Sequence, residues 1–249
     1  MSIEVLYEDN DILVCHKPAG VAVQSSSVTS SDMETMLRSQ ILRSGKFKNK
    51  STLLYIVHRL DQPVEGIIVF ARTKKAAADL SAQVQAGAEM NKIYMAVVFG
   101  AFADDEKEGE LRDYMYRDAA SRSAVISDSS DKNAKECFLS YKVISEKEIN
   151  DISANNVVDF SEHRNDKISL VEIHLGTGRY HQIRAQFSNA GHPLLGDRRY
   201  LLEESDEVSA RLRVKDVALC AKALSFKHPS TGETMNFDIS PQGPIFNEF

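Results

Sequence analysis

Leu53-Leu54-Tyr55-Ile56-Val57, then His58-Arg59-Leu60-Asp61, then, past a turn, Gly66-Ile67-Ile68-Val69-Phe70-Ala71: this stretch sets three ionisable side chains between two apolar runs. Continuous apolar runs of this length read as strands buried on both faces, because a half-solvated strand would alternate. The ionisable residues therefore fall where one buried strand ends and the next has yet to begin. A carboxylate at such a place is partly desolvated and needs a partner cation or a chemical task. In an extended segment Arg59 and Asp61 share one face, opposite His58 and Leu60. On these residues alone two readings stand: a turn stapled by an Arg59–Asp61 pair, or a site.

The bulk of the chain fits an ordinary globular protein. Its 249 residues are enough for one large core or two small ones, at 43% hydrophobic and 27% charged residues. No window approaches ~18 consecutive apolar residues, and the opening Met1-Ser2-Ile3-Glu4-Val5-Leu6 is acidic and alternating, unlike a signal peptide. Cys15, Cys137 and Cys220 are odd in number and far apart, which points to reduced, buried thiols and a cytoplasmic address. The net charge of −6 is not spread evenly. Residues 101–170 hold sixteen acidic and ten basic side chains, and the flanking stretches nearly balance. Since a local field follows local charge, a basic groove remains possible outside that segment.

Outward from the opening stretch, Ile3–Glu8 and Asp11–Lys17 read as strands joined by turn chemistry at Asn10-Asp11, and Lys17-Pro18-Ala19-Gly20 as a loop. Asp32 caps an expected helix to about Ser44, and Thr73 caps another through Ala86, stopped by Gly87. Lys46–Ser51 reads as a polar linker. Asn91–Phe99, Phe138–Ile144, Ile168–Leu175, Val217–Phe226 and Met235–Ile239 alternate as strands, with a short one at Gly109–Met115. The segment opening at Gly176 leads into a helix carrying Ile183, Phe187 and Ala190. Segments of about 104–135 and 146–167 read as polar excursions from one domain spanning 1–249. Strands outnumber helices and helices come singly. The expectation is α+β, a mostly antiparallel mixed sheet with flanking helices and a central cleft.

Three groups carry chemistry: His58-Arg59-Leu60-Asp61; Lys92-Ile93-Tyr94 at a strand start; and Arg179, His181, Gln182 and Arg184, followed by His192, Asp197, Arg198 and Arg199. In the third, Gly176 and Gly178 precede a helix N-terminus, a place that favours anions such as phosphate. His174, His181 and His192 fit no metal-ligand spacing and no cysteine accompanies them, so no metal is expected. Gly176-Thr177-Gly178 is too short for a dinucleotide fingerprint, and no Ser or Cys sits in a nucleophile elbow. Asp61 is the best catalytic candidate left.

Taken together, the blocks Val5-Leu6-Tyr7-Glu8-Asp9, Lys17-Pro18-Ala19-Gly20, Val57–Thr73, Lys92-Ile93-Tyr94, Gly178–Arg184, Gly191–Asp197 and His228–Glu233 resemble the RluA-type RNA pseudouridine synthases. The resemblance implies an isomerase that flips a uridine out of structured RNA, an rRNA or tRNA stem-loop, and needs no cofactor. It implies that Asp61 is the essential aspartate, that Tyr94 packs against the target base, and that Arg184 pairs with Asp61. Arg59 braces the space the base vacates. His58, Arg179, His181, Gln182, Ile183 and Arg198 are the further expected RNA contacts. The rival within the same fold is an RNA-binding or assembly protein without turnover; the rival outside it is a small-molecule enzyme using Asp61 as base. Gln62, Val64 and Glu65 depart from the family pattern, and Glu65 near a phosphate path would repel RNA. The pattern starts at Ile3, which leaves no room for an S4 domain before it. A cytoplasmic monomer is expected, with segment 101–170 turned away from the RNA and positive charge gathered at Arg59, Arg179, Arg184 and Arg198.

Overall fold

The apolar runs on either side of His58 fold unequally. In the computed structural model, which describes residues 2–25, 31–44, 53–85, 90–152 and 167–249, the second run lies in a strand, Glu65–Ala71, buried along its whole length. The first run is reduced to a two-residue, half-buried strand, Tyr55–Ile56. The reason is the edge it meets. Tyr55 and Ile56 pair only with Ala71 and Phe70, because the rest of that edge is occupied by a later strand, Leu219–Lys227.

The chain divides into two compact units, Met1–Lys92 with Ala221–Pro241, and Ile93–Cys220 with Gln242–Phe249. In chain order the first comprises β1 (Glu4–Glu8), β2 (Ile12–Lys17), α1 (Met33–Ser44), β3 (Tyr55–Ile56), β4 (Glu65–Ala71) and α2 (Lys74–Gln85). The strands later named β10 (Leu219–Lys227, from Ala221 on) and β11 (Thr234–Asp238) complete it. Its strands run β1-β2-β4-β10, with β11 antiparallel to β10. Both faces of this sheet are covered, which is why β2 and β4 read as unbroken apolar runs. Leu13, Cys15, Ile68 and Phe70 meet Met33, Leu37 and Ile41 of α1. Ile12, Val14, Ile67, Val69 and Ala71 meet Ala76 and Leu80 of α2. Each buried Val, Leu, Ile, Phe or Met among them contributes about 1.5–3 kcal/mol.

Local chemistry starts and ties these elements. Asp32 accepts the amide of Thr35 at 2.9 Å and Thr73 Oγ1 that of Ala76 at 3.1 Å, the two expected caps. Gln40 of α1 bonds both the N–H and the carbonyl of Ile3, each at 2.9 Å, so a side chain holds the start of β1. The His228-Pro229-Ser230-Thr231 turn is a staple. His228 bonds Asp9 at 2.8 Å, and Ser230 Oγ donates to Asp11 at 2.7 Å. Gly66 (φ +137°) is required by contact: a Cβ there would stand 2.5 Å from both N and Cβ of Ala221. The linker expected at Lys46–Ser51 and the helix stop expected at Gly87 lie outside the described residues.

The second unit holds β5 (Asn91–Phe99, from Ile93 on), β6 (Glu108–Asp118), β7 (Ser123–Ser127), β8 (Lys135–Glu148), β9 (Lys167–Leu175), α3 (Gln182–Asn189) and α4 (Glu203–Arg211). Its strands lie in the order β5-β9-β8-β6-β7, all antiparallel. Here the structure corrects the polar excursion expected at 104–135, which is largely the β6–β7 hairpin. Its burial alternates weakly because much of it is solvated, while Met115 and Ala124 pack with Ala185 of α3. The excursion expected at 146–167 is likewise shortened: β8 runs to Glu148, Ile149 and Ile152 are buried in the core with α4, and 153–166 lie outside the described residues. Helix α4 has no apolar stripe and was not expected. It buries only Ser205, Val208 and Ser209, and its acidic first turn suits the helix dipole.

Candidate functional site

In the first unit the Asp61 loop is pinned from below. Past β3 the chain leaves the sheet, and His58 turns back to accept the amide of Val69 on Nε2 at 3.2 Å. A ring nitrogen that accepts is unprotonated. Burial, with the charge of Lys92, pushes the His58 imidazole down to about 3, so it stays neutral. Burial also lowers the proton affinity of Lys92. His58 thus acts inside the fold, Arg59 is exposed and Leu60 is buried.

Asp61 is half-buried and opens a turn in which its carbonyl accepts the amide of Val64 at 3.1 Å. The central residue Gln62 is held from two sides. Its carbonyl accepts Lys17 Nζ at 3.0 Å, and its Nε2 donates to the Gly20 carbonyl at 3.0 Å. Lys17 is fully buried, and its ammonium also donates to the carbonyls of Val21 (2.7 Å) and Pro18 (3.0 Å). An ammonium has three protons, and these three acceptors are enough to satisfy them. The Lys17-Pro18-Ala19-Gly20 loop is therefore a clamp on the loop that carries Asp61. The sequence marked this block without giving it a task; a lysine at the end of a wholly buried strand was the available signal. Glu65, one of the departures from the family pattern, is buried with its carboxylate 3.8 Å from His16 Nε2.

In the second unit Tyr94 lies on β5 opposite Ile173 and is buried. Arg184, on α3, is buried and makes a two-pronged bond to Asp197: Nε to Oδ2 at 2.6 Å and Nη2 to Oδ1 at 2.9 Å. Burial alone would raise the Asp197 carboxyl. The hydrogen bonds and charge of Arg184, with the amides of Arg199 and Tyr200, outweigh it and hold the group below the ordinary carboxylate range. In the sequence Asp197 stands both beside the basic Arg198 and Arg199 and at the end of a family block, with no partner assigned to it. As the acidic residue in Gly191–Asp197 it was the signal for this pair. Gly196 beside it (φ +73°) is forced, since a Cβ would stand 2.2 Å from the Asp216 carbonyl.

Gln182 and Ile183 are buried. Gln182 Oε1 accepts Thr177 Oγ1 (2.8 Å) and the Arg179 amide (3.0 Å), and its Nε2 donates to the Phe138 carbonyl (3.1 Å) and to Gln186 (3.0 Å). These four bonds tie the loop before α3 to β8 and to α3 itself. His181 is half-buried in the left-handed region (φ 52°), stacked on Tyr180 at 3.7 Å, with Nδ1 2.9 Å from the Tyr200 hydroxyl. Arg179 and Arg198 are exposed. The other histidines weighed as metal ligands are also engaged. His174 contacts Glu172, and His192 contacts the Phe99 carbonyl and stacks on Phe102. Among the described residues no helix is long and apolar enough to cross a membrane.

Comparison with known proteins bears on what these residues serve. The family model described as RNA pseudouridylate synthase matches residues 11–189. The ribosomal large subunit pseudouridine synthase C of Yersinia pestis is 30% identical over 237 residues, covering 94% of this chain and 64% of that protein. The tRNA pseudouridine synthase C of Haemophilus ducreyi is 28% identical over 255 residues, covering 100% of this chain and 96% of that protein. Among solved structures, human RNA pseudouridylate synthase domain containing 1 superposes with a TM-score of 0.73 at 20% identity, covering 96% of this chain and 84% of that one.

Proposed function

The chain belongs to the RNA pseudouridylate synthase family, and from that premise we propose that it isomerises uridine to pseudouridine in structured ribosomal or transfer RNA. Residues 1–249 serve as one catalytic domain. The observation that carries the assignment of Asp61 is its setting: a half-buried aspartate on a turn clamped by the buried Lys17. A group that must meet C1′ or C2′ of one ribose gains most from being fixed before the RNA arrives.

In the reaction the N1–C1′ bond breaks, the uracil turns, and C5 bonds to C1′. C5 gives up a proton and N1 takes one, so the change balances within the substrate and needs no redox partner. Asp61 acts either as nucleophile at C1′ or as base at C2′. Tyr94 and Arg184 supply the remaining catalytic functions. A base inside a stem is out of reach, so the nucleotide is extruded, and Arg59, exposed two residues before Asp61, braces the vacated space. Arg179 and Arg198, both exposed, meet phosphates, which position RNA without reading its sequence.

The test is a pseudouridine map of total cellular RNA with and without the gene. A site that vanishes with the gene should return with the wild-type protein and not with Asp61→Asn, while the variant still folds and binds RNA. Turnover by Asp61→Asn within about tenfold of wild type refutes the role of Asp61.

A further inference from the structure

Six arginines of the second unit are exposed and, among the described residues, ion-paired with no carboxylate; five of them, Arg117, Arg122, Arg179, Arg198 and Arg199, fall on the β6–β7 hairpin and residues 179–200, and the sixth is Arg213. Of the other described arginines, Arg38, Arg72, Arg112, Arg184 and Arg211 each have one, and Arg43, Arg59 and Arg213 stand apart from the group without one among the described residues. In a chain of net charge −6, so many cations without counter-ions in one region need an explanation.

They are gathered by specific contacts. The Tyr180 ring stacks on His181, and the Arg117 guanidinium lies 4.6 Å from its centroid. The Tyr180 hydroxyl donates to the Arg122 carbonyl at 3.0 Å. Arg199 Nη1 donates to the Ser121 carbonyl at 2.7 Å and to Ser123 Oγ at 3.1 Å, and the amide of Ala124 donates to the Tyr200 hydroxyl. The tip of the β6–β7 hairpin is thereby riveted to the segment 179–200. Arg122 is held at φ 54°, a left-handed conformation where a glycine would sit without strain. The nearby acids are already committed: Asp118 to the amides of Ala120 and Ser121, Glu136 to Arg112, Asp197 to Arg184. The hairpin comes from segment 101–170, expected to be turned away from RNA on its net charge. Its own arginines instead join the basic group.

We propose that the β6–β7 hairpin and residues 179–200 form a preassembled phosphate-binding surface for the RNA backbone, engaging nucleotides other than the reacting uridine. The inference rests on the reading of the chain as an RNA-modifying enzyme. All five cations are arginines, whose planar forks match phosphate oxygens two at a time. Tyr180 is already engaged by His181 and Arg117, so the ring serves to hold the cations in place.

The experiment is the affinity of wild type and Arg117→Ala/Arg122→Ala for bulk tRNA and a synthetic RNA stem-loop, titrated across salt concentrations. Two lost phosphate contacts should lower the slope of log K against log salt by about 1.4–1.8 and the affinity at ~0.15 M salt by roughly 15- to 30-fold. The melting profile should not change, since both side chains are exposed, and Arg43→Ala should bind RNA like wild type. Unchanged affinity and slope in the double variant overturn the surface; with pseudouridine still formed, the enzymatic reading survives. Weakened RNA binding in a protein that forms no pseudouridine has the opposite meaning, keeping the surface and removing the enzyme. Weakened binding to anionic phospholipid vesicles with RNA binding intact overturns the proposal in favour of a membrane.

Discussion

Replacing Arg184 by Met keeps most of the side-chain volume and removes the charge from a pair whose two side chains are 6% and 0% exposed. Asp197 is then left with only the amides of Arg199 (2.9 Å) and Tyr200 (3.2 Å) from its present set. Breaking a buried pair on one side costs about 3–5 kcal/mol, because the remaining charge stays desolvated. For a protein of this size that is a fall in Tm of roughly 6–20 °C. The pH dependence gives a sharper signature. In the wild type Asp197 titrates below its ordinary range, so its contribution is present above the unfolded carboxylate pKa and fades as pH falls through the lower folded value. In the variant burial dominates and the folded pKa rises, so protonation relieves the defect. The deficit against wild type should therefore be largest near about pH 7 and shrink towards about pH 4. Asp197→Asn in the Arg184→Met background should recover part of the loss. Urea midpoints and thermal melts at both pH values measure this. A variant melting within ~2 °C of wild type, or a deficit that does not shrink on acidification, refutes the account of the pair.

Lys17→Met should free the Gln62 carbonyl and leave three buried acceptors without their donor, costing about 2–4 kcal/mol after relief of the buried charge. Because the Asp61 loop loosens, kcat should fall by ~10- to 100-fold while RNA affinity holds; wild-type kcat would show that the clamp is irrelevant to catalysis. At His16, Glu65 and then Glu4 raise the imidazole's proton affinity against the opposing effect of burial. Its stabilising contribution is complete below the unfolded value of ~6.5 and is lost as pH rises through the higher folded one. His16→Gln should flatten that alkaline decline in urea midpoint, and identical pH profiles for the two proteins would remove His16 from it.

Much of the fold was legible where burial imposes a period. Strands β5 and β9 and the caps Asp32 and Thr73 fell within a residue of expectation, since two-sided burial and cap chemistry are local properties. The hairpin of β6 and β7 and the helix α4 were obscured for the opposite reason. Their stability comes from partners distant in sequence, Tyr180, Arg199 and Tyr200 for the hairpin tip, so their own segments carry little periodic signal. At the site, the motif blocks singled out Asp61 and Arg184 as candidates. They did not distinguish side chains that face outward from those that brace the backbone. Gln182 and His58 both bond the backbone, and nothing in a residue's identity announces an amide or an imidazole that does so.

The interruption of the first unit by residues 93–220 has a consequence for its birth on the ribosome. When β4 leaves the exit tunnel its neighbour β10 has not been made, and the 128 residues of that interval take roughly 6–26 s to translate at ~5–20 residues per second. Throughout that time one long edge of a strand that ends up wholly buried has only the two-residue β3 to pair with, the kind of template on which nascent chains stick to one another. The second unit forms as a domestic insertion during this wait. The yield of soluble protein should accordingly respond to synthesis rate and chaperone supply, and codon choice across 93–220 becomes a lever on folding without any change in sequence.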